Sequence, residues 1–107
     1  MKRRRKMVTN EVMRLRAAYK REFGESPQKI NSGNCDSFAD DLLTKFPKGD
    51  TFWGEEIPER FKPFMTEEEI EWIGGHCFFY IDGFYYDSEC PNGVDNPANL
   101  PFFKRNR

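Results

Sequence analysis

Residues 76–89, HCFFYIDGFYYDSE, carry the pattern that decides the architecture. Two runs rich in strand-favouring rings flank Asp82-Gly83, and an Asp-Gly pair in that setting is the strongest short-range signal for a two-residue β-hairpin. Such a turn fixes the register of everything beyond it. Ile81 then faces Phe84, Tyr80 faces Tyr85, Phe79 faces Tyr86 and Phe78 faces Asp87; with pairing continued, Cys77 faces Ser88 and His76 faces Glu89. Side chains alternate along a strand, so His76, Phe78, Tyr80, Tyr85, Asp87 and Glu89 share one side, and Cys77, Phe79 and Ile81 share the other. Both sides are apolar. The hairpin is therefore expected to be covered on both, or by helix on one and by the aromatic loop on the other.

Outward from the hairpin the hydrophobic period changes. Val12, Leu15, Tyr19 and Phe23, with Ala18 beside them, recur every three to four residues and predict an amphipathic helix over 10–23, ended by Gly24. Ser26-Pro27 reads as a turn followed by a short polar connection. A second helix is N-capped by Asn34, carries Cys35 in its first turn and Phe38, Ala39, Leu42 and Phe46 along one stripe, and stops at Pro47. Residues 48–65 set Gly49, Gly54, Pro58 and Pro63 among Phe52, Trp53, Ile57, Phe61 and Phe64, which predicts irregular backbone pinned by rings. Thr66 with Glu69 forms a capping-box pattern, predicting a short helix to about Trp72 before Gly74-Gly75 breaks it. From Pro91 onward the chain reads as a loop, with Leu100, Phe102 and Phe103 available to pack back. The fold class expected is α+β, helices packed on a small antiparallel sheet that contains a 76–81/84–89 hairpin.

Composition bounds the rest. With 107 residues the chain is expected to form one domain with one core; only 37% of residues are hydrophobic, but 16% are aromatic and eleven are Phe, so that core is built on large rings. Residues 1–22 hold nine Lys and Arg against two Glu, and the remainder holds eight against sixteen acids, so an overall charge of -1 conceals a basic start and an acidic body. Lys2, Arg3, Arg4, Arg5 and Lys6 read as a solvated, disordered tail over 1–8, ahead of a single domain over 9–107. Nucleic-acid binding through that tail is disfavoured by the acidic body. The absence of a signal-like apolar run and of any stretch near ~20 apolar residues predicts a cytoplasmic chain with no membrane partner. Three cysteines at 35, 77 and 90, without a C-x-x-C pair, predict free thiols rather than a disulfide framework. No metal or other cofactor is expected: a zinc set of Cys35, His76, Cys77 and Cys90 is disfavoured because adjacent strand residues face opposite ways.

The chemistry lies in a constellation rather than in any one residue. A lone histidine is more often structural than catalytic, and His76 is the chain's only one. The register, however, gives it a same-face carboxylate: Asp87 is its diagonal neighbour at about 7 Å between backbones, and Glu89 is opposite but at a frayed end. Gly74-Gly75 before it allow close backbone approach. This is the oriented-base half of a nucleophile, base and orienter arrangement. Cys35 supplies the missing part. A helix N-terminus carries about half a positive charge and, with a nearby imidazolium, lowers a thiol pKa from about 8.5 toward neutrality. Asp36 opposes that effect. Cys77 points away from His76, and Cys90 sits in a Pro-flanked turn with no partner fixed by spacing.

The two segments GNCDSFADDL, 33–42, and GGHCFFYIDGFYYDSECPNGV, 74–94, resemble the papain-like fold superfamily in the minimal forms found among NlpC-type peptidases, transglutaminase-like domains and small phage or bacterial proteins. The resemblance implies a minimal papain-like fold with a Cys-His-Asp catalytic triad: Cys35 as nucleophile, His76 as general base and acid, Asp87 as orienter. It implies a cysteine hydrolase or acyl transferase, thiol protease-like, acting on an amide, isopeptide or thioester bond of a peptide or peptidoglycan-like substrate. Two departures stand out. A second oxyanion donor upstream of the cysteine could come only from Gln28, Asn31 or Asn34, so the Cys35 N–H is the dependable one. The single hairpin also leaves the sheet short unless residues 48–65 add a strand. The alternative from another class is a non-catalytic binding module on the same frame, a phage or mobile-element accessory protein contacting a host protein.

Overall fold

The computed structural model describes residues 2–56 and 75–104. Four helices, α1 (Lys2–Phe23), α2 (Pro27–Gly33), α3 (Cys35–Lys45) and α4 (Pro101–Lys104), pack on a four-stranded antiparallel sheet in the order β1 (Asp50–Trp53), β2 (Cys77–Ile81), β3 (Phe84–Asp87), β4 (Cys90–Val94). The architecture is α+β. Its centre is the hairpin: Phe79 pairs with Tyr86, Tyr80 with Tyr85 and Ile81 with Phe84. Asp82 and Gly83 both have positive φ, 54° and 87°, which is the type I′ geometry that matches the right-handed twist of flanking strands.

Alternation along β2 and β3 divides the interior in two. Phe79, Ile81 and Tyr86 face the helices and close a core with Val8, Val12, Leu15 and Tyr19 of α1, Ile30 of α2, and Phe38 and Leu42 of α3. Phe78 and Tyr85 face the other way, against Ala98, Leu100 and Phe103. That second face was expected to lie under the aromatic loop after α3; of that segment Phe52 does pack there, but the chain after β4 provides most of the cover.

Several elements differ from the sequence expectation, each for a local reason. Residues 2–8 are helical rather than a disordered tail. Val8 is fully buried, the Arg5 guanidinium lies 3.9 Å above the Phe84 ring and donates to the Asn92 carbonyl at 3.1 Å, and Arg4 pairs with Asp82 at 3.4 Å. Two cations of the run are thus docked on the sheet. Ser26-Pro27 does not merely turn the chain: Ser26 accepts the Lys29 N–H and Pro27 opens α2, the position where a missing N–H costs least. Within the segment expected to be irregular, residues 50–53 form β1 and add a strand to the hairpin. The hairpin arm ends at Asp87 instead of Glu89, because Ser88 and Glu89 turn the chain into β4, where Asp87 pairs with Cys90. Three residues, Pro91 to Gly93, stand opposite Tyr86 alone, so β4 is a bulged edge strand that tolerates its proline. The capping-box helix from Thr66 to Trp72, with Ile57, Pro58, Phe61, Pro63, Phe64 and Gly74, lies outside the described residues. Among the described residues no helix is long and apolar enough to cross a membrane.

Gly93 and Gly83 share positive φ, 76° and 87°, but not surroundings. A Cβ on Gly93 would sit 2.7 Å from the Tyr86 ring, whereas one on Gly83 would meet nothing within 4 Å. Gly83→Ala is expected to cost about 1–2 kcal/mol from backbone strain alone. Gly93→Ala should add an overpacking cost, for a total of about 2–5 kcal/mol. Urea unfolding of the two variants checks this; equal losses would contradict the bulge geometry.

Candidate active site

Cys35 is the first residue of α3, preceded by Asn34 at the cap position. Asn34 makes no side-chain cap bond; its amide donates instead to Glu25 at 2.7 Å. With the cap used elsewhere, the first-turn N–H groups of α3 lack intrahelical acceptors and keep their positive potential toward the sulfur. α3 lies across β2, and Cys35 packs with Ala39 and Cys77 in a small buried cluster between them. Its sulfur accepts the Cys77 backbone N–H at 3.4 Å and lies 3.9 Å from the Gly75 carbonyl. A thiol proton can rest on that carbonyl, while the Cys77 N–H favours the thiolate.

His76 immediately precedes β2 and is fully buried. Its Nε2 is 2.9 Å from Asp87 Oδ2, and since a carboxylate only accepts, Nε2 carries a proton and Nδ1 is the ring nitrogen not engaged by Asp87. Nδ1 forms no hydrogen bond of good geometry among the described residues. Its effect is nevertheless felt at the sulfur, because imidazole and thiol shift each other's titration.

The shifts follow the arrangement. Burial pushes the Cys35 thiol up, but the His76 imidazole and the Cys77 N–H outweigh it and the net direction is down; Asp36 is the weakest of these influences. Burial pushes His76 down, and hydrogen bonding to Asp87 together with the Cys35 sulfur reverses this, leaving it raised. The other thiols go the opposite way. Burial drives Cys77 to about 12 and Cys90 to about 11.

Asp87 is held from both sides. Its Oδ1 accepts the Glu89 N–H at 2.9 Å, which fixes the carboxylate within its own turn. That turn is gripped by α2: the Ser88 hydroxyl shares its proton between the Pro27 carbonyl at 2.7 Å and Asn31 Oδ1 at 2.8 Å, while Asn31 Nδ2 donates to Glu89 at 2.8 Å. Asn31 and Asn34 are therefore committed elsewhere and are not the oxyanion donors considered from sequence; Gln28 is exposed. Glu89 does not orient His76.

Three contributors escaped sequence reading. Phe102 stacks on the imidazole at 4.1 Å and 14° between planes, with Phe103 edge-on at 5.7 Å; both come from α4, far along the chain from His76. Asn31 binds the turn beneath Asp87. A stripe of rings near the C-terminus is a weak signal for packing and none for a partner. Among the described residues no group of three or more His, Cys, Asp or Glu could hold a metal ion. Neither a protein-family model, nor a curated protein, nor a solved structure matches the chain.

The ultraviolet absorbance of thiolate, taken as wild type minus Cys35→Ser, should rise in a step below the ordinary thiol pKa of about 8.5. The sign follows from Cys35 being lowered: thiolate forms at lower pH. His76→Ala removes the strongest lowering influence and should move the step upward. A wild-type step at or above the ordinary value would contradict the site.

Proposed function

We propose that the protein is a cysteine-dependent hydrolase or acyl transferase acting on an amide, isopeptide or thioester bond. The observation that carries the reading is the buried His76–Asp87 hydrogen bond of 2.9 Å, on a ring that lowers the titration of the Cys35 thiol. Cys35 Sγ attacks the carbonyl carbon while His76 Nδ1 holds the thiol proton. The oxyanion develops toward the Cys35 N–H at the start of α3. His76 then delivers the proton to the leaving nitrogen or sulfur, the bond to the leaving group breaks, and an acyl thioester remains on Cys35. Water or an acceptor amine attacks that thioester, giving its proton to His76, and the thiolate departs. Asp87 holds the ring in the tautomer that both halves need.

A papain-like assignment is supported by chain order and placement: a cysteine at the head of a buried helix, a histidine at the root of a strand, and a carboxylate on the next strand. Peptide and peptidoglycan-like substrates fit that assignment. The second reading, a non-catalytic module on the same frame that contacts a host protein, is favoured by one observation: Cys35 is only 7% exposed. Reactivity separates the two.

Limiting iodoacetamide near neutral pH should label Cys35 well ahead of Cys90 and Cys77. An activated aryl ester should leave an acyl group on Cys35, detected by mass spectrometry and absent in Cys35→Ser. His76→Ala should slow acylation by roughly 10²–10⁴-fold, the usual span for a general base. Labelling of all three thiols at similar rates, with no acyl adduct, would remove the enzymatic reading and leave the binding module.

A further inference from the structure

Residues 52 and 53 are consecutive rings on an edge strand, and alternation sends them to opposite sides of the sheet. Phe52 joins Phe78, Tyr80 and Tyr85, with ring centroids 5.9–6.5 Å apart. Trp53 goes to the side of Cys35 and is 39% exposed. A single exposed ring is ordinary on a protein surface; its position distinguishes this one. The register partner of Trp53 is Cys77, so their Cβ atoms stand about 4.5–5.5 Å apart on one face. Cys77 in turn packs on Cys35 and Ala39 and donates its amide to the Cys35 sulfur.

The backbone that carries the indole is anchored on two sides. The Trp53 backbone N–H donates to Glu56 Oε1 at 2.8 Å, and the next residue, Gly54, donates its backbone N–H to the His76 carbonyl at 2.9 Å. The second of these bonds ties the end of β1 to His76. An aromatic face next to a reacting sulfur is a surface that water covers poorly and an apolar group covers well.

We infer that Trp53 is a specificity residue, its indole forming an apolar wall beside Cys35 that accepts an aromatic or branched aliphatic side chain next to the attacked carbonyl. This rests on the hydrolase or transferase reading and adds the chemical class of the acyl group. The mechanism itself does not use Trp53, so its removal changes preference and leaves the thiolate intact.

The test compares alkylation of Cys35 in the full chain by iodoacetamide and by N-benzyl iodoacetamide, resolved by residue, with glutathione as the reference thiol. Relative to glutathione, the wild type should prefer the benzyl reagent by roughly tenfold, the order expected for a partly covered apolar group. Trp53→Ala should lose that preference with its iodoacetamide rate unchanged, and Trp53→Phe should keep most of it. An equal preference in the wild type and Trp53→Ala overturns the inference. So does a fall in the iodoacetamide rate of both variants, which would make Trp53 structural. Failure of the parent reading shows separately, as no selective labelling of Cys35 by iodoacetamide in the wild type, and ends this proposal with it.

Discussion

A histidine and an aspartate, both removed from water, face each other across 2.9 Å at the root of the hairpin. Burying either alone is costly, because an imidazole loses its hydrogen bonds and a carboxylate loses far more. Together they are tolerable only with good geometry and with the remaining atoms occupied. The surroundings of the pair meet that condition for all atoms but one. Asp87 Oδ1 is taken by a backbone amide, the ring face is covered by Phe102, and the turn that carries Asp87 is tied to α2 through Ser88 and Asn31. His76 Nδ1 is the exception. A buried nitrogen with no hydrogen bond among the described residues, on a ring that lowers the titration of the Cys35 thiol, is the feature of this fold that structural economy alone does not explain.

The thiol end is set by a contest of opposing effects. All three cysteines are buried, and burial by itself raises a thiol. Cys77 and Cys90 follow that rule and rise. Cys35 departs from it because it alone combines a helix start, a strand amide and an imidazole. The same β2 residue contributes twice: the Cys77 amide steadies the sulfur while its side chain packs beneath α3. Moving β2 by one position would turn His76 toward the helices and Cys77 toward Asp87, so the register set at Asp82-Gly83 decides whether the three groups meet.

That register was legible because a two-residue turn leaves little freedom, and the side of each strand residue from Cys77 to Asp87 follows from it. Cys35 at the head of a helix was legible from Asn34, the apolar stripe and Pro47. What escaped was whatever depended on distant partners. Arg4 and Arg5 look like tail residues until Asp82, Phe84 and Asn92 are placed beside them. Pro91 and Gly93 argue against a strand, and β4 forms because its bulge faces Tyr86 at an edge where a proline is tolerated. Ser26-Pro27 has the same letters as a turn and as a helix start, and Asn31 looked like an oxyanion donor because nothing local reveals its bonds to the Ser88-Glu89 turn. Phe102 reached the imidazole through tertiary packing that no spacing encodes.

The central claim is that Asp87 and the Cys35 sulfur together hold His76 in its charged form beyond the ordinary imidazole range. As the chain's only histidine, it gives an unambiguous signal, and the ring ¹⁵N shifts followed against pH measure its state directly. The account predicts that both ring nitrogens stay protonated to a pH above the ordinary value of about 6.5, and that this midpoint falls in Cys35→Ser and falls again when Asp87→Asn is added. A neutral ring titrating at or below the ordinary value, unmoved by either substitution, would contradict it.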